Sequence, residues 1–228
     1  NEVQETQRAR FAPSDTVDFA IVGSGAAGGI IAKELSTAGF SVVVLEQGPR
    51  LTETQFDHDE FATFMQGRWS NNPAAQPQTF RTASSEKAKK ALTLIYGRLV
   101  GGSNAHFTAN FWRLHPIDFN EASVIGGVPG TALTDWPITY DDLVPYYTKA
   151  EWELGVSGEA GPFDPPRSKP YPMPSLPVKS SGVLFEKGAR ALGLHPQSTP
   201  MAINSQFYNG RPACQHCGFC LFFMCEFR

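Results

Sequence analysis

Residues 17–48, VDFAIVGSGAAGGIIAKELSTAGFSVVVLEQG, restrict the possible folds of this chain more than any other stretch. VDFAIVG is a short apolar run rich in β-branched residues, the pattern of a strand buried in a parallel sheet. SGAAGGIIAKELSTAG opens with small residues and continues with Ile30, Ile31 and Leu35 at helical spacing. It stops at Gly39, a residue suited to a helix C-cap. FSVVVLEQG then reads as a second buried strand. The sequence therefore predicts a β-α-β unit with a right-handed crossover, and with it an α/β, Rossmann-like fold.

The turn between the first strand and the helix is G-x-G-x-x-G: Gly23, Gly25 and Gly28, with the small Ala26 and Ala27 between the last two. Gly23 permits the tight turn, Gly25 lets backbone approach a pyrophosphate, and Gly28 lets helix and strand pack closely. The helix N-terminus then presents N–H groups to the phosphates. Glu46 stands just before Gln47 at the end of the second strand, 21 residues after Gly25, where a carboxylate accepts hydrogen bonds from an adenosine ribose. Strand, helix, second strand and acid coincide, which favours a dinucleotide site over a glycine-rich turn in an unrelated α/β fold. The motif alone does not separate FAD from NAD, since both use it.

Bulk properties exclude several classes. The 228 residues are 41% hydrophobic and 18% charged, with a formal net charge of -3. That balance gives no electrostatic case for nucleic acid or an anionic membrane as main partner. No apolar run approaches the roughly 18 residues of a membrane span. The polar start, NEVQETQRARFAPSDTVDF, is not an intact secretory signal.

The rest of the chain is looser. A helix is expected around Glu86 to Leu92. Another follows TDWPIT, with Asp141 and Asp142 in its first turn, where acids suit the helix dipole. GEAGPFDPPRSKPYPMPSLP reads as an extended surface loop, and SSGVLFEKGARALGLH as one more amphipathic helix. We divide the chain into an N-terminal extension (1–16), the N-terminal part of a dinucleotide-binding domain (17–150) and a connecting region (151–228).

YGRLVGGSNAHFTANFWRLHPIDF carries a second glycine cluster, in which Gly101 and Gly102 let a loop lie against a cofactor without Cβ clashes. The segment resembles the glucose–methanol–choline (GMC) flavin oxidoreductases. Their G-R-x-x-G-G-S signature is matched by Gly97, Arg98, Gly101, Gly102 and Ser103. Their HP-x-D-[FY] string is matched by His115, Pro116, Asp118 and Phe119. EQGP and DWPITYDDLVPYYTKAE look like the same family, so the resemblance covers nearly the whole chain. It implies FAD.

Many members carry asparagine where this chain has Phe107. His106, Phe107 and Thr108 instead resemble the H-W-T string of pyranose oxidases and sugar-acid dehydrogenases. In pyranose oxidases that histidine is bonded to the flavin and the threonine sits near the reactive edge of the ring. Carried over, His106 is a candidate covalent tether and Thr108 a flavin contact. The alternative for His106 is a buried, hydrogen-bonded ring packed on the flavin.

All four cysteines, Cys214, Cys217, Cys220 and Cys225, stand in ACQHCGFCLFFMCEFR at the end of the sequence. Short loops hold thiolates around one centre at little entropic cost, which favours a metal site. C-x-x-C-x-x-C also opens ferredoxin-type ligation, where three sulfurs suit a three-iron cluster and four a four-iron one. Structural zinc and free or disulfide-paired thiols are the alternatives. A branch of the resembled family, with cytochrome partners, carries a cysteine cluster after a GRPAC-like lead-in, matched by Gly210 to Cys214. That resemblance favours a three-iron cluster relaying electrons outward.

The implied enzyme is an FAD-dependent dehydrogenase acting on the CH–OH group of a sugar, sugar acid or alcohol. It would pass electrons to a cytochrome or other acceptor, with a small subunit as companion. Its compartment is expected to be periplasmic or membrane-associated through that partner, with the cytoplasm as alternative. Family members are about twice this length, and their catalytic histidine pair is expected past residue 228. The chain therefore reads as an N-terminal fragment, and His58, His115, His195 and His216 are not assigned as the base. A flavin and cluster module without catalysis, and a zinc-stapled nucleotide-binding subunit, are the competing readings.

Overall fold

A computed structural model describes residues 11–12, 14–52, 55, 59, 61–67, 70, 72, 74, 76–90 and 96–217. They form two compact units, one up to Phe107 and one from Thr108.

The first unit is built on strand β1 (Phe19–Val22), helix α1 (Ala26–Thr37) and strand β2 (Val42–Leu45). The strands are parallel, in register from Phe19 opposite Val42 to Val22 opposite Leu45. Polar and aromatic pairs at the sheet entrance set that register. The Asp18 carboxylate accepts the Ser41 backbone N–H (2.9 Å) and hydroxyl (2.6 Å). Beside it, the Phe19 and Phe40 rings meet edge to face at 5.2 Å. Gly39, at φ +94°, follows the helix end as its sequence position predicts.

The expectation of buried strands does not hold within this chain. Val22 is 86% exposed, Leu45 and Ile30 are each 56% exposed, and no residue of α1 is fully buried. Two strands and one helix cannot enclose a sheet that is apolar on both faces.

The helix expected around Glu86 to Leu92 is corrected. Strands β3 (Thr79–Phe80) and β4 (Lys89–Lys90) pair antiparallel instead, with Thr79 opposite Lys90. The cause is local: the Glu86 carboxylate accepts the Thr82 hydroxyl at 2.6 Å, closing a turn where a helix would need the backbone free. Residues 91 and 92 lie outside the described residues.

The second unit contains helices α2 (Glu121–Ile125), α3 (Tyr140–Leu154) and α4 (Ser180–Ala191). The acids expected at the start of α3 are there, and Asp142 does more than face the dipole. It forms a capping box with Thr139, accepting the Thr139 N–H at 2.8 Å while the Thr139 hydroxyl accepts the Asp142 N–H at 3.3 Å. Gly155, at φ +78°, ends the helix.

The proline-rich stretch 158–177 has no regular element, as expected, yet it is more than a surface loop. Its carbonyls, which proline leaves free to accept, are taken by α3 and the segment after α4. Tyr140 donates to Pro166 (2.6 Å), Trp152 to Pro170 (3.2 Å) and Ser205 to Pro174 (2.6 Å). From this loop Arg167 turns inward and meets Glu151 of α3. Glu151 also receives Arg113 Nε at 2.8 Å and Nη2 at 2.7 Å. The Arg113 and Glu151 side chains are each 1% exposed and that of Arg167 8%, so the charges of this Arg–Glu–Arg group lie largely out of water. Thr148 takes a further proton of Arg113 at 3.1 Å, and Arg167 lies 3.6 Å above the Tyr171 ring. Burial by itself would lower the Arg113 pKa, but the hydrogen bonds it donates to Glu151 and Tyr140 outweigh that and raise it.

Candidate dinucleotide site

The glycine turn has the geometry its sequence demands. Gly23 has φ +88°, a conformation side chains rarely adopt. A Cβ on Gly28 would sit 2.0 Å from the Gly23 carbonyl oxygen, so only glycine lets α1 approach β1 this closely. Above Gly25 the opposite holds, since a Cβ there meets nothing within 4 Å. Gly25 is also the N-cap of α1. No side chain caps that end, and no acid stands in its first turn, which Ala26 and Ala27 open. The helix thus offers its positive end and free N–H groups to open space, the arrangement that receives a phosphate.

Glu46 closes this site from β2. Its Oε2 accepts the Ser24 backbone N–H (3.0 Å) and hydroxyl (2.6 Å), and its Oε1 accepts the Gly48 N–H (2.8 Å). Partial burial pushes its carboxyl up, but the hydrogen bonds it accepts from Ser24 and Gly48 outweigh that and hold the group below the usual carboxylate value. It is therefore ionised at neutral pH.

The second glycine cluster lies against the first. Gly101 (φ +98°) and Gly102 (φ +58°) turn the chain into a 3-10 helix, Gly102–His106. A Cβ on Gly102 would come 3.2 Å from Gly25 Cα, and the Gly101 N–H donates to the Ser24 hydroxyl at 3.0 Å. A Cβ on Gly48 would fall 2.3 Å from the Arg98 carbonyl carbon. Here the EQGP and G-R-x-x-G-G-S segments run backbone against backbone, over the buried Leu99 with Leu51 and Ala105 packed on it. Ser103 accepts the Gly97 N–H at 2.9 Å, and Arg98 is exposed.

His106 follows in the same 3-10 turn. Its Nε2 is buried without a hydrogen-bond partner and faces Gly97, where a Cβ would be 2.9 Å away. Burial holds its pKa below the ordinary imidazole value. The folded ring is thus neutral, while the unfolded chain takes up a proton as pH falls through about 6.5. Stability contributed by the neutral ring is accordingly present above about pH 6.5 and lost as pH falls toward the folded pKa. Melting temperature should decline between about pH 7 and pH 5 in the wild type, and less steeply in His106→Asn. Equal slopes in both proteins would refute this.

Thr108 begins the second unit, where its hydroxyl accepts Asn110 Nδ2 at 3.1 Å. Of the four other histidines, His58 falls outside the described residues. His115 caps a short 3-10 turn, and His195 meets the Phe163 ring edge-on at 5.7 Å. Cys214 and Cys217 are half-buried free thiols; Cys220 and Cys225 fall outside the described residues. His216, at φ +53°, aims its N–H at Cys214 Sγ (3.4 Å). Among the described residues no group of three or more His, Cys, Asp or Glu side chains is placed to hold a metal ion. The lead-in to Cys214 is a small hairpin fastened to the end of α3. Tyr208 donates to the Trp152 carbonyl and Arg211 to that of Leu154, each at 2.7 Å. Among the described residues no helix is long and apolar enough to cross a membrane.

Sequence reasoning missed Ser24 and Gly48. Gly48 had a signal, its place in EQGP two residues after the strand-end acid. Ser24 had none, because the middle residue of G-x-G is free to vary.

Comparison with known proteins extends this geometry. The family described as NAD(P)-binding Rossmann-like domain matches residues 21–88. The fructose dehydrogenase large subunit of Gluconobacter japonicus is 30% identical over 219 residues, covering 89% of this chain and 39% of its own. The gluconate 2-dehydrogenase flavoprotein of Pantoea cypripedii is 28% identical over 244 residues, 92% of this chain and 40% of its own. An uncharacterized GMC-type oxidoreductase of Rhodococcus erythropolis is 29% identical over 157 residues, 66% of this chain and 28% of its own. The chain thus spans no more than about 40% of the length of these relatives. Over most of its length, then, this chain is similar to flavoprotein and large dehydrogenase subunits, and over two thirds of it to a GMC-type oxidoreductase.

Proposed function

We propose that this chain supplies the FAD-binding part of a dehydrogenase that oxidises a CH–OH group of a sugar, sugar acid or related alcohol. The observation that carries this reading is the uncapped N-terminus of α1, open above Gly25 and flanked by an ionised Glu46. A pyrophosphate fits the open helix end and an adenosine ribose fits the carboxylate. The flavin would supply hydride acceptance from the CH–OH carbon. The chain's own residues bind and orient it: Gly23, Gly25 and Gly28 by close backbone approach, Glu46 by hydrogen bonding, and Arg98, Gly101, Gly102 and Ser103 by shaping the second wall. We assign no base among residues 1–228. His106 remains the candidate tether, which requires its Nε2 to turn from Gly97 toward the ring, and Thr108 the candidate contact near the reactive edge.

Cys214, Cys217, Cys220 and Cys225 are proposed to hold an iron–sulfur cluster, three-iron in preference to four-iron, that gives electrons an exit to a cytochrome or similar acceptor. Support comes from their spacing and from the backbone N–H given to Cys214 Sγ, the kind of bond that stabilises a ligating thiolate. A small subunit as companion, and a periplasmic or membrane-associated setting through it, belong to the same proposal. Fructose and gluconate name the substrate classes of two relatives and are the first to try.

The test is an absorption spectrum of the full protein before and after fructose or gluconate, with flavin, iron and zinc quantified on one sample. Bound flavin that bleaches on substrate addition is expected, together with iron in excess of zinc. Flavin that stays with acid-precipitated polypeptide would support the His106 tether, and colour that washes off excludes it. Fully assembled protein without flavin overturns the whole reading.

A further inference from the structure

We propose that Ser24 is a positioning residue for ribose recognition, its hydroxyl fixing both the Glu46 carboxylate and the Gly101–Gly102 turn. This rests on the dinucleotide reading above and adds a residue that the glycine motif leaves unspecified. Three backbone segments far apart in sequence meet at this one half-buried oxygen. It is carried by the first glycine turn, donates to Glu46 Oε2 at 2.6 Å and accepts the Gly101 N–H at 3.0 Å. A serine hydroxyl has a single proton. Donation to the ionised carboxylate commits that proton, and leaves the lone pairs to receive the Gly101 amide. Each bond therefore fixes the direction of the other.

The consequence falls on Glu46. A carboxylate offers about four lone-pair sites. Ser24 takes two on Oε2, through its N–H and its hydroxyl, and Gly48 takes one on Oε1. The plane of the carboxylate is thereby set, with Oε1 capacity left for a sugar hydroxyl. Without the Ser24 hydroxyl the group keeps its backbone bonds but loses its short charge-assisted one, and the Gly101 amide loses its acceptor. The ligand class recognised is a ribose hydroxyl carried next to a diphosphate, as in the adenosine half of a dinucleotide.

The test uses the full chain, prepared flavin-free from a riboflavin-starved host, with ADP and 2′-deoxy-ADP as probes in calorimetric titrations. A hydrogen bond to a charged group discriminates by about tenfold to a hundredfold, so wild type should favour ADP by at least that lower figure. In Ser24→Ala the preference should collapse to within about threefold of unity, and Ser24→Thr, which keeps the hydroxyl, should restore it. A merely structural serine would lower both affinities together and leave their ratio intact, and that result overturns the proposal. Should Ser24→Ala fail to fold, Ser24→Thr beside Ser24→Cys carries the same comparison, with the ratio retained in the first and lost in the second. If wild type itself shows no preference for ADP, Ser24 has no ribose contact to position and the inference fails. The flavin content of protein grown with riboflavin then decides separately whether the dinucleotide reading survives.

Discussion

Replacing Glu151 with glutamine is expected to destabilise the second unit by about 3–5 kcal/mol, the range found when one partner of a buried ion pair is removed. The side chain keeps its shape, but two guanidinium groups lose the counter-charge they share. Arg113 is 1% exposed and Arg167 8%, so neither can recover by turning into water. Urea unfolding followed by the fluorescence of Trp112, Trp136 and Trp152 measures the loss. Replacing Arg113, Glu151 and Arg167 together with methionine should recover most of it, because no charge then remains to be desolvated. A midpoint for Glu151→Gln within error of wild type would show that water reaches these groups freely.

The second large effect falls on the glycine turn. Gly28→Ala places a methyl 2.0 Å from the Gly23 carbonyl oxygen, and Gly48→Ala places one 2.3 Å from the Arg98 backbone. Neither neighbour is the end of a flexible side chain, so the backbone itself must part, at roughly 1–3 kcal/mol or more. Both variants should melt earlier and be isolated with little or no flavin. Gly25→Ala is the informative contrast. Its methyl meets no atom of another described segment within 4 Å, so its melting temperature without flavin should match wild type. Its flavin-to-protein ratio should nevertheless fall, because the methyl enters the space assigned to the pyrophosphate. Full flavin content in Gly25→Ala would move the ligand elsewhere.

These effects divide along what could be read from the chain. The β-α-β unit was legible because its information is local: two β-branched runs, a glycine turn and an acid fit inside residues 17–48. The start of α3 was legible for the same reason, since Thr139 and Asp142 are one turn apart. The helix expected at Glu86 was misread because one side-chain bond from Thr82 reassigns the carboxylate to a turn, and propensity does not register that competition. The Arg–Glu–Arg group was illegible. Its members are 38 and 16 residues apart, and Arg167 stands among prolines that read as solvated loop. Ser24 shows the remaining limit: a hydroxyl between two glycines has meaning only once residues 46 and 101 are brought to it.

The hairpin before Cys214 has a mechanical consequence. Tyr208 and Arg211 are latched to the last carbonyls of α3, and Gly155 leaves no space between, since a Cβ there would stand 2.8 Å from the Tyr208 ring. The first thiol is therefore hung from a rod rather than a tether. A tilt of that rod by a docked protein would be delivered to Cys214 as displacement, whereas motion of a loose loop would dissipate before reaching it.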